Sequence, residues 1–373
     1  MSKHLHIITH DVPFPLDFGG VTDLYCKIKA LHQEDVAIHL HSFTDKRQEQ
    51  SILNQLCASV HYYPRMKGPG FIFSWLPFIV WGRRSKALLH RLQSDNHPVL
   101  IEGVHCSFLL YKGLLRNRSV VLRLHNVEYL YYKNLASHER NFIRKCYYKL
   151  ESILLKRFEK KIAGLAPVWT VSENDAHIYK GISENVNASL LPVFLPWKEI
   201  KSASGKGSYC LYHGNLSVNE NESAVIWLLE EVFSKTGLPL VIAGKNPSSK
   251  LRDKVYKFNH CCLVENPDEH ELQDLINKAQ LHVLPAFNQT GVKLKLLNAL
   301  FNGRHCIVNN AAVDGTSFNE ICIVANEADT FIHQTKKWFE IPFSEEMAMN
   351  RNTVLMNNFD NKKNVAKIIR WLP

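Results

Sequence analysis

Three residues of a predicted helix have the types and spacing to bind an anion. Lys295 lies four residues after Gly291 and three before Asn298, so the three share one face of a helix that Gly303 ends. An anion at the N-terminus of this helix would meet unpaired N–H groups, the helix dipole and an ammonium group together. The spacing favours a phosphate-binding site, although an ordinary amphipathic helix with a solvated lysine would show the same pattern.

Two features in the first half of the chain also lie where ligands bind. Gly19 and Gly20 follow the first predicted strand and open a helix, where glycine lets the backbone approach a phosphate. His125 follows a buried strand, and the strand ends of α/β proteins face the ligand-binding cleft. A glycine pair is more often only a turn, and a single histidine is more often structural, so both readings stay open.

Short motifs of several enzyme classes are missing. No Gly-x-Gly-x-x-Gly follows the first strand, and the sequence contains no Gly-x-x-x-x-Gly-Lys-Ser/Thr, Gly-x-Ser-x-Gly or His-Glu-x-x-His. These absences argue against a dinucleotide enzyme, a nucleoside triphosphatase of that type, a serine hydrolase and a zinc protease.

The elements that must position these residues alternate between short apolar strands and longer helical patterns. In the first block the strands are expected near 5–9, 36–41, 99–101, 120–124 and 168–171, with a long helix from 142 to 162. Near 192–207 the pattern lapses into Pro, Lys, Ser and Gly, and alternation then restarts. This predicts an α/β chain of two Rossmann-like doubly wound domains, over 1–195 and 208–355, facing a central cleft.

Composition limits the classes of partner. The 373 residues are 46% hydrophobic, enough for large cores, and carry 45 Lys plus Arg against 35 Asp plus Glu, an excess that favours anionic partners. The charge is spread and no recognition motif occurs, so nucleic acid is not expected. Nine cysteines without a Cys-x-x-Cys pair, and an N-terminus that enters a strand directly, predict a cytoplasmic protein with reduced thiols.

One segment is suited to a membrane surface. No run reaches the roughly 20 apolar residues of a membrane-spanning helix. Residues 71–81 are mostly apolar, and within 65–86 they are flanked by basic residues, namely Arg65, Lys67, Arg83, Arg84 and Lys86. Such a segment is either a buried helix or loop, or an amphipathic element that lies on an anionic membrane.

Taken in order along the chain, these features resemble a GT-B glycosyltransferase, most similar to family four of the retaining, nucleotide-sugar-dependent enzymes (glycosyl transferases group 1). The resemblance covers nearly the whole chain. It rests on Gly19-Gly20, Arg123-Leu-His125-Asn126-Val-Glu128-Tyr, Val171-Ser-Glu-Asn-Asp175, His213-Gly-Asn215-Leu216, Ile242-Ala-Gly-Lys245, Gly291 to Gly303 and Asn309 to Gly315.

The resemblance implies transfer of a hexose from a UDP- or GDP-linked sugar to a saccharide or lipid-linked saccharide acceptor, with retention of configuration, in cell-surface polysaccharide synthesis. Neither a cofactor nor a metal is expected, and no Asp-x-Asp occurs in the chain. A lipid-linked acceptor would place the protein at the inner membrane face. The last helix, 362–373, is expected to pack back on the N-terminal domain.

The resemblance also assigns roles to residues. It implies that the donor is bound by Asn215, Lys245, Thr290, Gly291, Lys295 and Asn298, that Gly19 and Gly20 close over its diphosphate, and that His125 lies beside the transferring sugar.

Two departures leave other functions open. The family's Glu-x7-Glu pair falls on Thr290 and Asn298, so both carboxylates are replaced. The Arg and Lys that usually follow the Gly-Asn segment are also absent. A non-catalytic sugar-nucleotide-binding relative would explain these changes, and a GT-B nucleotide-sugar epimerase would bind a donor without an acceptor.

Overall fold

The chain forms two parallel β-sheets, each within its own compact unit. The computed structural model describes residues 3–16, 19–68, 70, 74–139, 141–183, 185–287 and 291–373. One unit comprises Met1–Pro196, Thr290–Val292 and Phe359–Pro373, and the other comprises Trp197–Gln289 and Lys293–Asn358. The segment Phe359–Pro373, which carries the last helix, therefore groups with the N-terminal unit.

The first unit contains a seven-stranded sheet of order β3-β2-β1-β4-β5-β6-β7. The strands are β1 His4–Thr9, β2 Ala37–Thr44, β3 Ser59–Pro64, β4 Val99–Glu102, β5 Val120–Leu124, β6 Val168–Thr170 and β7 Ala188–Leu190. All neighbouring strands pair in parallel. The strand order reverses between β1 and β4, and ligands of such sheets bind at the carboxyl ends beside this point.

Helices cover both faces of this sheet. They are α1 Gly19–Gln33, α2 Ser51–Leu56, α3 Phe78–Trp81, α4 Lys86–Leu92, α5 Phe108–Tyr111, α6 Glu128–His138, α7 Phe142–Ile162 and α8 Glu173–Lys180, with the C-terminal helix Asn361–Trp371. Successive strand residues enter different cores: Ile8 packs with Leu155 of α7, whereas Ile7 packs with Ile28 of α1 and Ile368 of the C-terminal helix. The continuously apolar strands follow from this burial on both sides.

The second unit contains a six-stranded parallel sheet of order β10-β9-β8-β11-β12-β13. Its strands are β8 Cys210–Asn215, β9 Leu240–Lys245, β10 Cys261–Glu265, β11 Leu281–Val283, β12 His305–Val308 and β13 Ile323–Val324. Its helices are α9 Asn219–Trp227, α10 Ser234–Thr236, α11 Ser249–Val255, α12 Glu269–Lys278, α13 Leu294–Asn302, α14 Asn310–Val313, α15 Ala328–Glu340 and α16 Glu345–Phe359, which runs into the C-terminal helix, α17. The predicted α/β class with two doubly wound sheets is confirmed.

Local differences from prediction have physical causes. Strands β3 and β7 were not predicted, because Ser59–Pro64 mixes apolar with polar residues and is mostly half-buried, and the three residues Ala188–Leu190 include an exposed serine. The helix expected from Gly291 begins at Leu294 instead. Among the described residues, no helix combines the length and apolar character that crossing a bilayer requires.

Candidate functional site

The carboxyl ends of β8 and β9 bring two predicted donor-binding residues together. Asn215 and Lys245 are the last residues of these strands and pair in register, directly after the pair Gly214 and Gly244. A side chain on Gly244 would collide with the Gly214 carbonyl oxygen, so this close approach requires glycine. The exposed Lys245 ammonium thus lies at the sheet edge where parallel α/β folds bind ligands.

Lys295 joins the same edge from α13. As the second residue of the helix, it donates from Nζ to Tyr212 Oη at 3.0 Å and to Asn221 Oδ1 at 2.9 Å, and its Nζ lies 4.8 Å from the centre of the Tyr212 ring. Burial lowers the pKa of Lys295 from 10.5 to about 8, and Lys293 contributes in the same direction while Glu220 opposes it. The solvated-lysine interpretation is therefore wrong, because this ammonium group is held in place by its surroundings.

Asn221 connects these residues, and sequence reasoning missed it. Its Nδ2 donates to the Asn215 carbonyl at 2.8 Å, while its Oδ1 accepts from Lys295. Tyr212, in the buried part of β8, contacts the same Oδ1 at 3.2 Å. Asn221 follows Asn215 by six positions and is the third residue of α9. No short-range motif signals this contact.

Asn298 contacts different elements from Lys295. Its Oδ1 accepts from Gln273 Nε2 of α12 at 3.3 Å and from Asn302 Nδ2 at 2.8 Å. One amide oxygen thus serves two neighbours within the unit. The three-residue spacing from Lys295 correctly predicted a common helix, but the two side chains have separate partners.

Gly291 does not lie at a helix N-terminus, so that part of the prediction is wrong. It precedes α13 by three residues and groups with the first unit, where its N–H donates to Asp175 Oδ2 at 3.2 Å. Its φ is +68°, and a side chain there would collide with Asn126, so glycine is required. Thr290 lies outside the described residues.

In the first unit, His125 follows β5 and contacts a carboxylate from β4. Its Nε2 lies 2.9 Å from Glu102 Oε2. Because an ionised carboxylate only accepts hydrogen bonds, His125 donates to Glu102 from Nε2. Although burial opposes ionisation of Glu102, Lys27 and Arg123 outweigh it and hold the pKa of this carboxyl well below its usual range. Glu102 therefore orients His125 and fixes its tautomer.

Glu102 belongs to a network of four buried charges. Lys27 and Asp23 come from α1, Glu102 from β4 and Arg123 from β5, and Arg123 Nη2 donates to Asp23 Oδ1 at 3.0 Å. Lys27 Nζ lies 2.5 Å from Glu102 Oε1. The two cations balance the two carboxylates, so the network holds its members in place without a net charge.

The same balance bears on metal binding. Ligand atoms of Asp23, Glu102 and His125 lie within 4.8 Å of one another, a spacing compatible with a divalent ion. Lys27 and Arg123 already pair with the two carboxylates, and they would repel an added dication. These residues do not fit a metal site.

A buried carboxylate, Glu159, bonds to the turn after His125. Glu159 of α7 accepts from the backbone N–H groups of Glu128 and Tyr129, at 3.2 and 3.0 Å, in the first turn of α6. Burial raises the pKa of Glu128 to about 8, so its carboxyl keeps a proton at neutral pH.

Gly19 and Gly20 are the first residues of α1, which carries Asp23 and Lys27. They are half-buried, and Asp17 and Phe18 lie outside the described residues.

The segment 65–86 is only partly exposed. Trp75 is 87% exposed, whereas Trp81 and Arg83 are buried. Arg83 donates to the carbonyl oxygens of His10 and Ile79, so it stabilises the unit and is not available to a lipid headgroup. Phe71 and Ile72 lie outside the described residues.

Comparisons with known proteins agree with this architecture. Residues 207–340 match the model of the family described as Glycosyl transferases group 1. A sucrose-phosphate synthase from Thermosynechococcus elongatus superposes with a TM-score of 0.70 at 14% identity, covering 99% of this chain and 98% of that one. HepE of Anabaena, in complex with UDP and glucose, gives a TM-score of 0.65 at 10% identity and covers 99% and 100%.

A relative from Klebsiella pneumoniae, described as an uncharacterized 44.6 kDa protein in the cps region, is 27% identical over 386 residues and covers 98% of each chain. Together these matches confirm the GT-B fold, the resemblance to group 1 glycosyltransferases and the expectation of a glycosyltransferase.

Proposed function

We propose that this glycosyltransferase moves a hexose from a UDP- or GDP-linked sugar to a saccharide or lipid-linked saccharide acceptor, with retention of configuration, in the synthesis of a cell-surface polysaccharide. The observation that carries the proposal is the Lys295 ammonium, held by Tyr212 and Asn221 at the carboxyl end of β8. A partly desolvated cation gains most from an anionic ligand. The UDP bound to HepE and the cps location of the K. pneumoniae relative support the donor class and the polysaccharide role.

The proposed chemistry is electrostatic. As the bond between the sugar C1 and the diphosphate oxygen breaks, its electron pair goes to the nucleoside diphosphate, whose growing charge Lys295 and Lys245 stabilise. The acceptor hydroxyl oxygen bonds to C1, and its proton goes to the departing phosphate oxygen. His125, oriented by Glu102, positions the sugar. No step requires a metal, which agrees with the balanced charges around Asp23 and Glu102.

An exposed face of the first unit supports a lipid-linked acceptor at an inner membrane surface. Both acidic residues of α7, Glu151 and Glu159, are buried, so every exposed charged side chain of this helix is basic. Phe142 and Ile143 are among its exposed apolar residues. Glu151 accepts from the N–H groups of residues 78 and 79, which joins α7 to the segment that presents Trp75. Apolar and basic groups together favour an anionic bilayer.

The direct experiment is a screen of UDP- and GDP-linked hexoses by thermal shift, followed by assay of nucleoside diphosphate release with saccharide acceptors. A rise in melting temperature with one donor, and release that depends on an acceptor, are expected. Binding without release would indicate a non-catalytic relative. Interconversion of the free nucleotide sugar would indicate an epimerase.

A further inference from the structure

Six histidines lie together where β1, β2 and β3 are adjacent in the sheet of the first unit. They are His4 and His6 of β1, His39 and His41 of β2, His61 of β3, and His97 just before β4. His6 pairs in register with His39, and His41 with His61. Neither the proposed transfer reaction nor the donor site uses any of them.

The inner part of this cluster is closed by its own hydrogen bonds. His6 Nε2 lies 3.0 Å from Asp95 Oδ1, and His6 Nδ1 lies 2.8 Å from His41 Nε2. The remaining nitrogen of His41 lies 2.8 Å from the Tyr63 hydroxyl. Both rings are buried, and each of their nitrogens has a partner. This pair offers nothing to a ligand.

The outer part differs. His4, His39 and His97 are half-buried, and one ring nitrogen from each lies within 4.8 Å of the others. His4 Nδ1 and His39 Nε2 are 3.1 Å apart. A Zn–N bond of about 2.0–2.1 Å implies nitrogens roughly 3.3 Å apart in a tetrahedral site, so these two already have nearly the required separation. The His97 ring stacks on His4 with centroids 4.4 Å apart, so the rings must rotate about their side-chain bonds before one nitrogen of each can face a common ion.

We propose that His4, His39 and His97 bind one divalent transition-metal ion of the zinc class, through one ring nitrogen each. Three imidazoles favour zinc, copper, nickel or cobalt, whereas magnesium and calcium prefer oxygen ligands. On binding, the ring that donates the hydrogen bond between His4 and His39 exchanges its proton through solvent to its other nitrogen, so both rings stay neutral imidazoles and the two facing lone pairs bind the ion. Water completes the coordination.

Neighbouring groups suit this role. His39 Nδ1 lies 2.9 Å from Ser59 Oγ, and in the metal-bound ring Nδ1 would donate to this oxygen and leave Nε2 as the ligand atom. Lys3, next to His4, is turned away, because its Nζ donates to the carbonyl oxygens of Ile369 and Leu372. Arg118 pairs with Asp95.

The ion would be structural. His4 begins β1 and His97 precedes β4, so the site lies at the amino ends of the strands, whereas His125 follows the carboxyl end of β5. The ion would join β1, β2 and the segment before β4. The inference is independent of the proposed reaction and can fail or hold separately from it.

Calorimetric titration of the full chain with ZnCl2, after removal of any affinity tag, tests the proposal. Cys146 and Cys262 are exposed thiols that also bind zinc, so all proteins carry serine at both positions. We expect one site per chain, binding at least about tenfold weaker in His39→Ala and His97→Ala, and unchanged binding in His177→Ala, which removes an exposed histidine of α8. Cobalt should give visible d–d bands without sulfur charge transfer.

Zinc should also raise the melting temperature only where the three histidines are intact, and MgCl2 should not. His97 lies outside the strands, so His97→Ala decides the matter if His39→Ala does not fold. Absence of zinc binding in the Cys→Ser protein, or equal affinity in His97→Ala and His177→Ala, would overturn the proposal.

Discussion

Replacing Lys295 by methionine should separate binding from stability. Methionine keeps an unbranched side chain beside the Tyr212 ring and removes only the ammonium group. A hydrogen bond to a charged group contributes about 1.5–3 kcal/mol, so the affinity for a nucleoside diphosphate should fall roughly 10- to 150-fold.

The same change should not weaken the unliganded protein. The difference between the ordinary pKa of 10.5 and about 8 means that holding Lys295 charged costs up to about 3 kcal/mol at pH 7, since one pH unit is about 1.4 kcal/mol. Losing the hydrogen bonds to Tyr212 and Asn221 lowers the free energy of unfolding by about 1 kcal/mol each, which offsets most of the gain from removing the charge. The free energy of unfolding should therefore be unchanged or rise by up to about 2 kcal/mol.

The pH dependence provides a second signature. The pKa of Lys295 is lowered by folding, so the ammonium loses its proton as pH rises through about 8. Affinity for the diphosphate should fall above pH 8, by up to about tenfold per pH unit. In wild type the free energy of unfolding should rise between pH 8 and 10.5, because the unfolded state keeps the proton that the folded state loses. Lys295→Met should show neither this rise nor the decline in affinity.

Calorimetry with UDP and GDP at pH 7 and 9, with urea unfolding of the same samples, measures these quantities. Lys250→Met is the matched control, because Lys250 is an exposed lysine of α11 in the same unit. Equal affinity for Lys295→Met and wild type would refute the donor site. Weaker binding accompanied by a clear loss of stability would refute the argument that Lys295 is kept for its ligand.

Other expectations concern residues of both units. His125→Ala should lower kcat at least about tenfold, or ~1.4 kcal/mol, with little change in donor Kd; normal turnover would remove His125 from the site. His10 is half-buried and His213 is buried, and desolvation lowers the pKa of each to about 3, so the unfolded state binds these protons first as pH falls below 6.5. Each histidine should therefore lower the free energy of unfolding by about 2 kcal/mol on going from pH 7 to pH 5. Equal urea midpoints at the two pH values would contradict this. Trp75→Ala should weaken binding to anionic vesicles at low salt, whereas Tyr256→Ala, an exposed aromatic of the second unit, should not. Wild type that ignores such vesicles would rule out the membrane surface.

The strands and helices that the sequence predicted best share strong periodic signals. Helix α7 was expected over 142–162 and spans Phe142–Ile162, because its apolar positions recur every three or four residues over six turns. The two doubly wound sheets were predicted from the alternation of short apolar runs with helical patterns. His125 could be placed at a strand end because β5 is continuously apolar and buried.

What the tertiary structure alone decided is which polar groups meet. The sequence placed Lys245 and Asn215 at or next to strand ends and Lys295 on a helix that Gly303 ends, since local apolar runs and their periodicity fix those elements. It could not show that Asn221 contacts Lys295, or that Glu102 orients His125, because these two contacts span 74 and 23 residues and depend on strand order. Nor could it show that Lys295 is desolvated. Burial of a charge depends on packing from several elements at once, which no local pattern encodes.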